Sequence, residues 1–264
     1  MPAMPSPQDN HSPSLHITNG IAQVTLNRPA MRNRLENADL DTLLHHFQRI
    51  ESDPSVRVVV LTAHTHGQPK PVFCAGYDIG GFQENAQGST AFERVPEALA
   101  ALRPITVCAL NGSVYGGATD LVLACDLRIG LRGIEWRMPA TALGLHYYPS
   151  GLRRYVQQWG VVAAKRAFLS ARPFHDTQLQ ALGVCDEWCT PDEWSKRVSL
   201  LVNDVLALAP SAVQATKRSL NDIAAGTDLT EQLRQRETDS AASEDFAEGL
   251  AAFAQRRRPQ FTDR

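Results

Sequence analysis

The sequence predicts an α/β protein with a largely parallel sheet. Two short runs, residues 56–62 and Ile105–Leu110, are almost continuously apolar and rich in β-branched residues, as strands covered on both faces are. Segments with helical spacing alternate with them, as at residues 36–50, where leucines recur on one face. Because strands and helices alternate along the chain, a parallel sheet joined by crossover helices is expected.

The remaining elements follow from the same patterns. Ile21–Leu26 alternates apolar with small or polar residues and predicts a strand. Residues 63–71 predict a loop, residues 90–102 a helix that stops before Pro104, residues 117–124 a helix, and residues 127–130 a strand. The pattern after residue 160 is mainly helical, with helices predicted at 161–169, 176–182, 192–209, 211–225, 229–238 and 243–255.

Bulk composition excludes several classes of protein. The 264 residues are 43% hydrophobic and 20% charged, which suits one large domain or a core with a smaller appendage. The formal net charge of −2 gives no signature of nucleic-acid or anionic-membrane binding. No apolar run approaches the ~20 residues of a membrane span. Residues 1–14 contain four prolines and no apolar core, so they predict a disordered tail and not a signal peptide.

The cysteines indicate a reducing compartment. Five are present, an odd number, and Cys108 and Cys125 lie among apolar residues, as buried thiols do. Cys185 and Cys189 have no second pair to complete a zinc site, so no metal is predicted. A cytoplasmic location is expected.

The stretch that carries chemistry is 105–126. The apolar run Ile105–Leu110 is broken by Asn111-Gly112, and Gly116-Gly117 then precedes a helix. A glycine pair in that position exposes backbone N–H groups that no side chain covers. Such groups can hold a developing oxyanion. Asp120 follows one helical turn later and is expected beside them.

These residues also resemble the enoyl-CoA hydratase/isomerase (crotonase) family. Residues 111–118 are similar to its Asn-Gly-x-x-x-Gly-Gly-Gly element, and residues 73–79, Phe-Cys-Ala-Gly-Tyr-Asp-Ile, to its Phe-x-Ala-Gly-x-Asp-[IL] element. Three further matches lie in order at residues 26–29, 139–151 and 248–257. The resemblance covers roughly residues 15–262.

The resemblance implies a particular architecture. It is a crotonase-like superhelix of β-β-α units, with a disordered tail over 1–14, an α/β core over 15–200 and a C-terminal helical region over 201–264. Relatives use that region for trimer contacts, so a homotrimer or a dimer of trimers is expected. The alternative is that apolar stripes such as Phe246, Leu250 and Phe253 pack only within their own subunit.

The resemblance also implies an acyl-CoA thioester as substrate, with no cofactor beyond its CoA. In the family, two backbone N–H groups stabilise the thioester enolate, and here they belong to Tyr77 and Gly117. The other expected substrate contacts are Arg28, Ala30, Met31, Arg32, Ala75, Asp78, Ile79 and Gly116.

The acid and base groups depart from the hydratase pattern. Hydratases carry two glutamates, and here Asp120 occupies one position while Ala140 replaces the other. Three polar groups follow instead. His146 is a candidate general acid or base, and Tyr147 is placed like the tyrosine of methylmalonyl-CoA decarboxylases of the family. Tyr148 is an expected substrate contact. An enoyl-CoA hydratase/isomerase-like reaction is expected. The alternatives are an acyl-CoA decarboxylase and a non-catalytic CoA-binding subunit.

Overall fold

The computed structural model describes residues 12–78, 80, 88–227 and 229–262. Its strands are β1 (Ser14–Thr18), β2 (Ile21–Leu26), β3 (Val58–Ala63), β4 (Val72–Cys74), β5 (Ile105–Leu110), β6 (Ser113–Tyr115), β7 (Leu127–Leu131), β8 (Trp136–Arg137) and β9 (Glu187–Cys189). Its α-helices are α1 (Asn37–Ser52), α2 (Gly88–Ala101), α3 (Gly117–Leu123), α4 (Pro149–Ser170), α5 (Asp176–Ala181), α6 (Trp194–Leu206), α7 (Pro210–Ala224), α8 (Thr230–Ala241) and α9 (Glu244–Gln255).

Two sheets organise the chain. The larger has the order β1-β2-β3-β5-β7-β9, in which β1 is antiparallel to β2 and the other pairs are parallel. The smaller has the order β4-β6-β8 and is parallel throughout. Each repeat therefore gives one strand to each sheet and then a helix, as in β3-β4-α2, β5-β6-α3 and β7-β8-α4. The predicted α/β class and the superhelix of β-β-α units are confirmed.

Strand β5 shows why its sequence is continuously apolar. All six of its residues are buried. Cys108 and Leu110 face the main core, while Val107 and Ala109 face a second core that includes Val202 of α6. Since both faces of the sheet are covered, polar alternation is absent from this strand.

Helix α4 begins earlier than the sequence predicts. Its first helical residue is Pro149, not residue 161, and the helix bends at Gly160, whose φ of 71° is left-handed. The arginines and glutamines between residues 153 and 158 conceal the periodicity of the buried Tyr155 and Trp159. The short strands β1, β4, β6, β8 and β9 were not predicted, because two to five residues are too few to show a period.

The predicted boundaries between the tail, the core and the C-terminal region do not coincide with the ends of these elements. Of the predicted disordered tail, residues 1–11 lie outside the described part of the chain. Ser14 already begins β1, and His46 Nε2 lies 2.9 Å from the Pro13 carbonyl oxygen. The predicted boundary at residue 200 falls inside α6. The division into a core and a C-terminal helical region stays a prediction.

No single described helix is long and apolar enough to cross a bilayer; α6 and α7 reach that length and composition only together, across a 99° bend.

A buried lysine fixes α7 to the edge of the core. Lys217 Nζ lies 2.7 Å from Asp126 Oδ2 and donates to the Pro104 carbonyl at 2.9 Å. The same carboxylate oxygen accepts from the backbone N–H and the hydroxyl of Thr106, at 2.7 and 2.8 Å. The lysine side chain is 7% exposed and the aspartate 21%. This ion pair therefore couples the C-terminal helices to the start of β5.

We predict that Lys217→Met lowers the free energy of unfolding by about 2–3 kcal/mol, because Asp126 loses its cation; the partial exposure of Asp126 keeps the loss below that of a fully buried pair. Urea unfolding measures it. Lys165→Met, an exposed lysine on α4, is the matched control and should change stability by no more than about 0.5 kcal/mol. Equal losses in both variants would contradict this account of Lys217.

Candidate active site

A cavity of about 300 Å³ brings most of the predicted site residues together. Its walls come from the loop after β4, the start of α3, residues 138–148, Arg34, and Phe92 of α2. The predicted residues that line it are Ala75, Tyr77, Asp78, Gly116, Gly117, His146, Tyr147 and Tyr148. Residues that lie far apart in the chain therefore meet at one site.

The loop after β4 is held by the segment before α1. Leu35 N–H donates to the Gly76 carbonyl at 2.9 Å, and Asp78 N–H donates to the Leu35 carbonyl at 2.8 Å. These two bonds make a parallel bridge between Leu35 and Tyr77. In such a bridge the central residue directs its own N–H away from the partner. The Tyr77 N–H therefore points away from Leu35, and Tyr77, but not Leu35, lines the cavity.

The glycines allow the two loops to approach closely. Gly76 has a φ of 100°, and a Cβ there would lie 2.9 Å from the Tyr115 carbonyl oxygen. Gly117, the first residue of α3, would place a Cβ 2.7 Å from the ring of Phe92. As the first helical residue, Gly117 has no acceptor for its N–H within the helix.

Two stacked tyrosines form another wall. The rings of Tyr147 and Tyr148 are 4.1 Å apart at an angle of 29°, and both are buried. They pack over Gly151 in the first turn of α4, where a Cβ would lie 2.7 Å from the Tyr148 ring and closer still to that of Tyr147. Phe92 contacts Tyr77 on one side and Tyr148 on the other. The cavity thus has a continuous aromatic lining.

Asp120 lies behind this wall and does not line the cavity. Its side chain is 0% exposed. Tyr148 donates to Oδ2 at 2.7 Å, Arg154 donates to Oδ1 at 2.6 Å, and Tyr147 donates to the Tyr148 hydroxyl at 2.8 Å. The carboxylate is thus linked to the wall of the cavity through tyrosine hydroxyls and does not line the cavity itself.

Burial sets the protonation of this cluster. It raises the pKa of the Asp120 carboxyl above its ordinary value, and the neighbouring Arg154 guanidinium and Tyr148 hydroxyl limit that rise. Burial, with the nearby Asp120 charge, also raises the pKa of both tyrosine hydroxyls, well above the ordinary value. Both phenols are therefore protonated donors at neutral pH.

Some predicted substrate contacts lie outside the cavity wall. Arg28 pairs with Glu36 at 2.5 Å and with Asp39 at 3.1 Å. Met31 and Arg32 are exposed on the segment before α1, and the Arg32 guanidinium lies 5.5 Å from the centre of the Tyr115 ring. Ile79 is outside the described residues. The roles assigned to these residues stay predictions.

Sequence reasoning missed several residues of the site. Arg34 lines the cavity and bonds Glu36 at 2.8 Å and Asp78 at 3.4 Å. Arg154 was also missed, since nothing in the local sequence separates it from the exposed arginines around it. The missed apolar lining residues are Phe92, Met138, Leu143 and Leu145.

A larger cavity, of about 910 Å³, lies between α2, α4, α6 and α7. Arg154 is the one residue of the cluster around Asp120 that lines this larger cavity. None of the predicted site residues lines it. The described part of the chain contains no group of three or more residues arranged to hold a metal ion. The smaller cavity is therefore the candidate active site.

The comparisons with known proteins agree with this choice of family. A family model described as "Enoyl-CoA hydratase/isomerase" matches residues 16–264. The 2,3-dehydroadipyl-CoA hydratase of Escherichia coli is 30% identical over 250 residues, which cover 92% of this chain and 96% of that protein. The mitochondrial enoyl-CoA hydratase domain-containing protein 2 of Bos taurus is 29% identical, covering 92% and 84%.

The fold is also shared with solved structures. The crystal structure of an enoyl-CoA hydratase from Bacillus anthracis superposes with a TM-score of 0.87 over 96% of this chain and 100% of that chain. The sequences are 24% identical, so this likeness shows the fold alone.

We predict that Gly151→Ala lowers the free energy of unfolding by about 1–2 kcal/mol, because the new methyl group collides with both tyrosine rings. Gly249→Ala is the matched control: it lies inside α9 with no contact closer than 3.8 Å, and it should raise stability by about 0.5–1 kcal/mol. Urea unfolding measures both. A stabilising effect of Gly151→Ala would contradict the packing described.

Proposed function

This chain belongs to the enoyl-CoA hydratase/isomerase family and is an acyl-CoA-processing enzyme, and we propose that it polarises the thioester carbonyl with the backbone N–H groups of Tyr77 and Gly117. One observation carries the proposal: the loop that ends at Tyr77 and the start of α3 meet at one cavity, with glycines where the two backbones touch.

The chemistry follows from the charge that the thioester develops. When a proton leaves the α-carbon, or a nucleophile adds to the β-carbon of an unsaturated acyl group, the negative charge moves to the carbonyl oxygen. Two N–H groups aimed at that oxygen stabilise the enolate. Each donor is worth on the order of 3 kcal/mol in the transition state. The reacting carbon then lies against the aromatic lining of the cavity.

Proton transfer is assigned to the tyrosine wall. Ala140 lines the cavity where hydratases of the family carry their second glutamate, and Asp78 is the one carboxylate among the described lining residues. Tyr147 and Tyr148 also line it, and His146 lies exposed on the same segment. The relative from E. coli is named a hydratase of a dehydroacyl-CoA. We assign the reaction to enolate chemistry of the hydratase or isomerase type.

We propose that the CoA moiety lies outside the cavity, over Met31 and Arg32. Both are exposed, and Ala75 N–H donates to the Arg32 carbonyl at 2.9 Å, which joins that segment to the oxyanion loop. Arg28 contributes by fixing the segment through Glu36 and Asp39. Asp78 and Ile79 complete the proposed contacts. Beyond this CoA we propose no cofactor.

We propose a homotrimer or a dimer of trimers, supported by the outward apolar stripe on α9, where Phe246, Leu250 and Phe253 are 50%, 57% and 87% exposed. We propose a cytoplasmic location, supported by five cysteines that are all free and buried.

Replacing Gly117 by proline tests the oxyanion hole. Proline fits the first position of a helix and deletes the N–H, so Gly117→Pro should lower kcat/KM by about 10²–10³. Gly117→Ala is the matched control, because it meets Phe92 in the same way but keeps the N–H, and its kcat/KM should exceed that of the proline variant by about 10². Butyryl-, crotonyl- and malonyl-CoA are incubated with each protein in D₂O, and mass spectrometry of the products identifies the reaction and its rate.

The outcomes separate the alternatives. Uptake of D₂O by crotonyl-CoA identifies a hydratase, α-deuteration without hydration an isomerase-type enolisation, and loss of CO₂ from malonyl-CoA a decarboxylase. Binding of all three thioesters with no reaction would leave the CoA-binding subunit as the better description. Equal activity in the proline and alanine variants would refute the role of the Gly117 N–H.

A further inference from the structure

A buried chain of hydroxyls joins the cavity to a carboxylate that has no contact with it. Tyr147 donates to Tyr148 at 2.8 Å, Tyr148 donates to Asp120 Oδ2 at 2.7 Å, and Arg154 donates to Asp120 Oδ1 at 2.6 Å. Both tyrosines line the cavity, while Asp120 does not. The chain is a continuous path of hydrogen bonds about two hydroxyls long.

The charge on Asp120 fixes the direction of every bond in this path. An ionised carboxylate only accepts, so Tyr148 must donate to it. The Tyr148 oxygen is then available to accept, and Tyr147 donates to it. The Tyr147 oxygen is therefore left as an acceptor. If Asp120 binds a proton at Oδ2, each bond reverses and Tyr147 becomes a donor.

We propose that Asp120 takes a proton from the substrate and returns it through the hydroxyls of Tyr148 and Tyr147, without touching the substrate, and that Arg154 is the positioning residue of this relay. The proposal rests on the proposed function, because the relay needs a thioester whose enolate is stabilised in the cavity. Beyond the proposed function, it gives Arg154 a positioning role and states the order in which the proton passes between the groups.

The step balances without a further reactant. The C–H bond at the reacting carbon breaks, its electron pair enters the enolate, and the proton binds the Tyr147 oxygen. The Tyr147 hydroxyl proton moves to the Tyr148 oxygen, and the Tyr148 proton moves to Asp120 Oδ2. After these transfers the substrate is an enolate and Asp120 carries the proton. Reversal of the three transfers delivers the proton back to carbon, at the same or a conjugated position.

The surroundings of Asp120 suit a group that changes charge. Arg154 and the Tyr148 hydroxyl favour the carboxylate, while burial and the Glu93 carboxylate on α2 oppose it. Tyr147 and Tyr155 are the other titratable groups that face it. The balance leaves the pKa of Asp120 above its ordinary value. Arg154, with a side chain 13% exposed, holds the carboxylate in place.

Removing the central hydroxyl tests the relay directly. Tyr148→Phe keeps the ring but separates Tyr147 from Asp120, so α-deuteration of butyryl-CoA in D₂O should fall by about 10² or more, with KM little changed. Asp120→Asn should cause a similar loss, and the double variant no further loss, since both changes interrupt one path. Tyr155→Phe is the matched control: its hydroxyl is also buried but bonds Thr119 and Trp136, and deuteration should stay within about threefold of the parent.

A pH profile distinguishes a relay from a structural anchor. The relay works only when Asp120 is ionised, so the rate of deuteration should rise with pH through the pKa of Asp120. Arg154→Gln removes the cation that lowers this pKa, and the acid limb should move to higher pH. Arg154→Lys keeps a cation and should leave the limb near that of the parent. A merely structural role would reduce the rate without moving the limb.

Two results would overturn the proposal in different ways. Deuteration within about threefold of the parent in both Tyr148→Phe and Asp120→Asn would refute the relay and leave the proposed function intact. A parent protein that moves no proton in butyryl- or crotonyl-CoA would refute the proposed function, and the relay with it. An acid limb that stays in place in Arg154→Gln would refute the role of Arg154.

Discussion

The site depends on one buried charge. Asp120 is removed from water between α3 and α4, and a carboxylate in that position requires partners. Arg154 supplies the cation from α4, and Tyr148, the residue that precedes this helix, supplies a hydroxyl. To satisfy one carboxylate, the chain must therefore place the start of α4 against α3. That placement puts both tyrosines on the wall of the cavity.

A second constraint is the close approach of two backbones. A Cβ at Gly76 would lie 2.9 Å from the Tyr115 carbonyl oxygen, and a Cβ at Gly116 would lie 3.9 Å from the Gly76 Cα. The β-β-α repeat brings these loops together, because the parallel strands β4 and β6 end side by side in the smaller sheet. The topology of the two sheets thus creates the cavity.

The sequence predicts the parts of this arrangement that are local. The strand at Ile105–Leu110, the glycine pair and the tyrosines could be identified, since apolar runs and glycines act through their immediate neighbours. The link between Asp120 and Arg154 could not, because it depends on how α3 meets α4. The sequence does not reveal the start of α4, because arginines and glutamines there interrupt the apolar pattern of a helix. Several of these side chains form hydrogen bonds with residues far away in the chain; Arg154, for example, bonds a residue 34 positions earlier.

The proposed polarisation of the thioester carbonyl can be measured most directly by ¹³C NMR. Butyryl-CoA labelled at the thioester carbonyl would be bound to the protein and its resonance compared with that of the free ligand. We predict a downfield shift of the bound carbonyl, because two N–H groups withdraw electron density from it. A bound ligand whose carbonyl resonance does not move would contradict the assignment of the cavity as an oxyanion-binding site.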